Sequence, residues 1–175
     1  MVPRALLTEA AAQLLRRLAA AHGPLLIHQS GGCCDGSSPM CYPAGEFLVG
    51  DRDVLLGVGD LRLAPGVPQQ STPDGNDAVP LWISGPQFAV WQHTQLVVDV
   101  VAGRGSGFSL EAPEGVRLLT RGRVFTAAEQ AELAARAPLS GAQWLAGSRP
   151  EPAGVALVVA EAAAACPVPP RAGSP

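Results

Sequence analysis

Apolar residues in this chain come in short runs, and almost every run is cut off by glycine, proline or aspartate. Leu25-Leu26-Ile27-His28 and the stretches 54–58, 81–84 and 95–101 are all of this kind. An isolated helix needs about 12–15 residues to hold in water, whereas strands are usually about 3–10 residues long. The runs therefore read as strands. Residues 95–101 form the strongest candidate, because Val97, Val98, Val100 and Val101 are β-branched. Residues 46–49, 61–63, 107–111 and 116–125 complete the set, and 88–93 fits a helical turn and a strand equally. Many short strands joined by turns predict an α+β fold. Its core is a compact, mainly antiparallel sheet or small barrel with one N-terminal and one C-terminal helix.

Two segments keep a helical period. Leu7, Ala11, Leu14, Leu15 and Leu18 fall on one face, Gln13, Arg16 and Arg17 turn away, and Gly23-Pro24 ends the run. Thr126-Ala127-Ala128-Glu129 is a capping box that opens a second helix through about Arg136. From Pro138 onward the sequence is rich in Pro, Ala and Gly. The expected division is a single domain over 1–137 and a low-complexity, disordered tail over 138–175, with a short helix across 155–165. Cys166 lies in that tail and is discounted as a ligand.

The net charge of −3 and the absence of a basic stripe argue against nucleic acid as a partner. All 12 basic side chains are arginine. Schiff-base chemistry and the phosphate-binding lysine of a P-loop are thereby excluded. Gly103-Arg104-Gly105-Ser106-Gly107 accordingly reads as a strand connection, and Arg117, Arg121 and Arg123 read as a solvated strand face. The first residues lack the uninterrupted apolar run of a signal peptide, and no stretch reaches the about 20 apolar residues of a membrane span. A cytoplasmic location is expected, and there cysteines serve more often as metal ligands or redox groups than as disulfides.

The concentrated chemistry lies in the loop 28–43, which begins His28-Gln29-Ser30-Gly31-Gly32-Cys33-Cys34-Asp35 and ends Met40-Cys41-Tyr42-Pro43. His28 closes a strand, two glycines let the backbone approach a bound group closely, and Cys41 returns seven residues after Cys34. A second imidazole, His93, stands just before the strongest strand. Thiolate and imidazole donors suit zinc or iron in a roughly tetrahedral array. The expected metal ligands are thus Cys33, Cys34 and Cys41, completed by His28 or His93. The spacing is not the paired C-x2-C of zinc fingers. Each residue also has a plainer role: buried cysteine often packs as a small hydrophobe, and Asp35 before Gly36 is a turn residue.

The string 28–43, together with Trp82-Ile83-Ser84-Gly85-Pro86-Gln87-Phe88, His93-Thr94-Gln95 and Gly107-Phe108-Ser109-Leu110-Glu111-Ala112-Pro113-Glu114-Gly115, resembles the bacterial domain-of-unknown-function 779 family over roughly residues 5–137. Members are often encoded beside aldehyde dehydrogenases. The resemblance therefore implies a supporting role in aldehyde or alcohol oxidation, with an aldehyde dehydrogenase as partner. The expectation is a metal-binding accessory protein carrying zinc or iron. Its rivals are a cysteine-dependent enzyme acting on an aldehyde or its adduct, with His28 or His93 as base, and a structural partner of a dehydrogenase.

Overall fold

A computed structural model describes residues 2–31, 38–105, 107–150 and the backbone of 157–159. Cys33, Cys34 and Asp35, named above, lie outside the described residues, as does Cys166. The chain runs β1 (Ala5–Thr8), α1 (Glu9–His22), β2 (Leu25–Gln29), β3 (Met40–Pro43), β4 (Val54–Asp60) and β5 (Ala78–Ile83). It continues with α2 (Gly85–Trp91), β6 (Thr94–Ala102), β7 (Val116–Val124), α3 (Ala127–Ala134), α4 (Gly141–Leu145) and β8 (Leu157–Val159).

The α+β class holds, but the strands form two four-stranded sheets and not a closed barrel. One has the order β7-β6-β1-β8, the other β3-β2-β5-β4. Both sheets are mixed, with the longer ladders antiparallel as expected. β1–β6, β1–β8 and β2–β5 are parallel, whereas β2–β3, β4–β5 and β6–β7 are antiparallel. The reason is β1. Leu7, counted above with the helical face, belongs to this four-residue strand, which slots in parallel beside β6 before α1 begins. Thr8 then switches the chain from strand to helix, its hydroxyl accepting the Ala11 N–H at 3.2 Å.

The two sheets bury their inner faces against one another and against Leu14, Leu15 and Leu18 of α1. The outer face of the β3-β2-β5-β4 sheet carries a second cluster, in which Leu26, Leu55, Val58 and Trp82 are covered by Phe47, Leu139 and Trp144. β2 is consequently buried along its whole length, on both faces. A polar side chain on this strand must find a partner inside the protein, because water cannot serve it.

Several local expectations change in three dimensions. Residues 46–49, 61–63 and 107–111 are loops and turns, and 88–91 continue α2. The domain does not stop at 137. Ser140 caps α4, its amide and hydroxyl exchanging hydrogen bonds with Gln143, and Trp144 meets Trp82 edge-on at 5.6 Å between ring centroids. The expected helix over 155–165 falls largely outside the described residues, and its described part, 157–159, is β8. The capping box at Thr126 is present as read, the Thr126 amide donating to Glu129 at 2.8 Å.

Candidate functional site

His28 stands near the C-terminal end of β2, paired across to Met40 and Trp82, and the residue is 4% exposed. Both ring nitrogens are engaged. Nε2 lies 3.0 Å from Asp53 Oδ2, and Nδ1 lies 2.8 Å from Ser30 Oγ. A carboxylate oxygen can only accept, so the proton sits on Nε2 and the lone pair of Nδ1 faces the Ser30 hydroxyl, which donates to it. The Phe47 ring, 4.5 Å from the imidazole between centroids, covers the face of the site. Burial pushes the His28 pKa down, and the hydrogen bond and charge of Asp53 oppose this without overcoming it. The imidazole is therefore neutral at physiological pH.

Asp53 is held from behind. Its Oδ2 also accepts the Gly50 N–H at 2.8 Å, and its backbone N–H donates to the Gly50 carbonyl at 2.9 Å. The start of α4 then clamps this turn. Gly141 N–H donates to the Asp53 carbonyl at 2.8 Å and Ala142 N–H to that of Asp51 at 3.1 Å. A Cβ at position 141 would collide with the Gly50 carbonyl, so only glycine permits this approach. Residues beyond 137, expected to be tail, thus build the support for Asp53.

Cys41 takes the opposite orientation. It pairs with Ile27, not with His28, and lies fully buried in the core between the sheets. Directly paired residues share a face and their neighbours take the other, so Cys41 and His28 point to opposite sides of the sheet. The structure does not bring these two expected ligands together. The Cys41 thiol is pushed up to about 12, first by burial and then by the nearby negative charge of Glu111. Around it runs a second polar chain: Cys41 N–H donates to Ser109 Oγ at 2.8 Å, and the Ser109 hydroxyl donates to buried Glu111 in a short bond. Glu111 also accepts the Leu118 N–H at 3.3 Å. These bonds tie β3 of one sheet to β7 of the other, and they have a structural role.

His93 is exposed at the junction of α2 and β6, its carbonyl accepting the Phe125 N–H. His28 faces the outer side of the β3-β2-β5-β4 sheet, and His93 opens a strand of the other sheet. Among the described residues no three His, Cys, Asp or Glu side chains converge as a metal-binding group. The described donors near the loop are His28 and Asp53, so further ligands would have to come from Cys33 and Cys34.

Asp53 and Ser30 were not singled out from the sequence. Asp53 follows Gly50-Asp51-Arg52, which reads as an ordinary turn, and Ser30 sits unremarked in the loop. The available signal was the strand ending in histidine, since a buried histidine demands partners.

A family model described as a domain of unknown function (DUF779) matches residues 14–124. The chain belongs to the DUF779 family. The match takes in His28, Ser30, Asp53, Cys41 and Glu111, and ends before α3 and α4. Comparisons with curated proteins and with solved structures gave no match. No helix among the described residues of this DUF779 protein is long and apolar enough to cross a membrane.

Proposed function

We propose that this DUF779 protein is a cysteine-dependent reaction centre in which neutral His28 acts as the base for a thiol of Cys33 or Cys34, with an aldehyde or its adduct as substrate. One observation carries the reading: the hydrogen-bonded chain Asp53–His28–Ser30 ends at the residue from which the cysteine loop departs. Cys33 is three residues beyond Ser30, a span of at most about 11 Å. The arrangement has the logic of a nucleophile, a base and a carboxylate that orients the base. A thiol proton would pass to Nδ1, the thiolate would add to the aldehyde carbon, and the proton would return to the new alkoxide, giving a hemithioacetal. Asp53 fixes the tautomer and stabilises the imidazolium formed on the way. The aldehyde, and a dehydrogenase as partner, come from the family resemblance. Cys41, buried on the other face, takes no part.

The Asp53–His28 bond also supports a second reading. Carboxylates commonly buttress metal-bound imidazole in this way. Zinc or iron held by His28 Nδ1, Cys33 and Cys34 would make the protein a metal-binding accessory protein, with Ser30 turned aside.

Iodoacetamide labelling at pH 7, before and after treatment with a chelator, separates the two. The thiol-enzyme reading expects one fast thiol, lost in Cys33→Ser or Cys34→Ser. His28→Gln should slow it at least tenfold, since a positioned base contributes about 10²–10⁴-fold. Labelling that is fast only after chelation, with metal in the native protein, establishes the metal reading instead. A loop whose thiols react alike in wild type and His28→Gln, with no metal bound, overturns both.

A further inference from the structure

The two sheets end in four edge strands, and the fold treats them differently. β3 is covered, because Leu110 N–H donates to the Cys41 carbonyl at 3.0 Å and Cys41 N–H to Ser109 Oγ at 2.8 Å. β4 is paired at its start, where Leu55 N–H donates to the Leu139 carbonyl at 2.9 Å and Val54 bridges Ser140. β8 is three residues long. β7, by contrast, runs nine residues with no proline and an unbroken register against β6. An open edge is a template for another strand, and proteins normally shield it with a bulge, a proline or a covering segment.

Which groups β7 presents outward follows from its ladder. Phe125 N–H donates to the His93 carbonyl and Gly103 N–H to that of Gly115, so the odd-numbered residues of β7 bond to β6. The N–H and C=O groups of the even-numbered residues point away from the sheet. In the first half of the strand that edge is guarded, the Leu118 N–H donating to Glu111 at 3.3 Å. Beyond it, the backbones of Thr120, Gly122 and Val124 meet no partner on that side among the described residues. Gly122 is exposed, and Val124 is 71% exposed. Thr120 offers its backbone alone, because its hydroxyl donates to Gln29 Oε1 at 2.6 Å. The neighbouring charges are answered within the chain: Arg121 pairs with Asp99 at 3.1 Å and Arg123 with Glu129 at 2.7 Å.

We propose that this edge is a homodimer interface, in which a second copy lays its own β7 antiparallel to the first with Gly122 opposite Gly122 on the two-fold axis. An antiparallel strand edge is self-complementary, which is what an isologous contact requires. Thr120 then faces Val124 of the other copy, and the outward groups exchange about six backbone hydrogen bonds, since each hydrogen-bonded pair supplies two. Glycine leaves the axis free of side chains, and Val124, exposed in the single chain, packs beside Thr120 of the other copy. The register sets Arg121 opposite Arg123 of the other copy, which would repel were both not already paired to acids. One sheet thereby runs through both copies. The edge is separate from His28, and the inference does not depend on the reaction proposed there.

Sedimentation velocity and residue-resolved amide exchange on the full chain test it. Concentrated wild type should sediment as a species of twice the 17.9 kDa chain mass and dissociate on dilution. Exchange of the Thr120, Gly122 and Val124 amides should slow at least tenfold from monomer to dimer. The Arg121 and Arg123 amides, bonded to β6, should be protected in both. Val124→Pro deletes an outward donor that β6 does not use, so it should weaken the dimer at least tenfold and leave the melting temperature of the monomer nearly unchanged. The exchange pattern of wild type tests the same edge without a substitution. A monomer at every concentration overturns the proposal. So does a dimer that survives Val124→Pro with the Thr120, Gly122 and Val124 amides still fast, because its interface would lie elsewhere. Slow exchange of those amides in a monomer would show that the chain covers its own edge, and overturns it equally.

Discussion

His28 and Cys41 lie on neighbouring strands, one residue out of register with each other, and both are buried. On the outer face, His28 is tied through both nitrogens to Asp53 and Ser30, and its basic nitrogen is turned toward the start of the cysteine loop. On the inner face, Cys41 packs with Ile27 among aliphatic side chains, and burial together with Glu111 keeps its thiol protonated. Burial alone therefore does not distinguish a reactive group from a structural one. What distinguishes them is where their polar atoms lead. From His28 they lead to the chain's most chemically loaded loop, and from Cys41 to a buried network that joins two sheets.

The largest expected effect tests that structural role. Glu111→Ala would strip the acceptor from the Ser109 hydroxyl and the Leu118 N–H, both buried. Urea denaturation should report a loss of about 3 kcal/mol, since each orphaned buried group costs about 1–3 kcal/mol. A loss below about 1 kcal/mol would mean that the inner network does not hold the sheets together, and the contrast between the faces would fail.

Next comes the support behind the outer face. Gly141→Ala should cost about 2 kcal/mol through collision with the Gly50 carbonyl. The displaced turn carries Asp53, so the same variant should slow iodoacetamide labelling of the loop. Lost stability with unchanged labelling would separate α4 from the site. Trp144→Ala, which leaves the backbone clamp in place, should cost a comparable amount with a smaller effect on labelling.

Cys41→Ser should cost about 1–2 kcal/mol by burying a hydroxyl among apolar side chains, with loop reactivity and any metal content unchanged. Cys41 itself should react with a thiol reagent only on unfolding. Prompt labelling of Cys41 in the native protein would restore it as a site residue.

The smallest effect is the pH dependence of His28. Its folded pKa lies below the unfolded value of about 6.5, so the unfolded chain binds the extra proton first as pH falls. Stability should fall as pH drops below about 6.5, with this group adding at most about 1.4 kcal/mol per pH unit until the folded pKa is reached. Subtracting the His28→Gln curve from wild type should isolate this slope. A difference of the opposite sign would mean that Asp53 holds the imidazole charged.

Much of this was legible in the sequence because it rests on local physics. β-branched residues made β6 recognisable, Thr126 and Glu129 announced α3, and the strand ending at His28 pointed to the loop. The same local logic misassigned Leu7, whose spacing suits α1 but whose parallel partner in β6 draws it into a strand. It also cut the domain at 137, because residues 138–150 contain few large side chains, and the value of Leu139 and Trp144 appears only against Trp82 and Leu55.

By itself, the sequence determined which residues have chemistry to offer, that β2, β6 and α3 form, and that no lysine takes part. Only the tertiary structure decided which of those residues meet. Strand register sent Cys41 inward and His28 outward, and the docking of α4 placed Asp53, 25 positions along the chain, against His28 Nε2. Register and docking are set by the joint burial of apolar surface from segments far apart in sequence, so no window of the chain contains the information that fixes them.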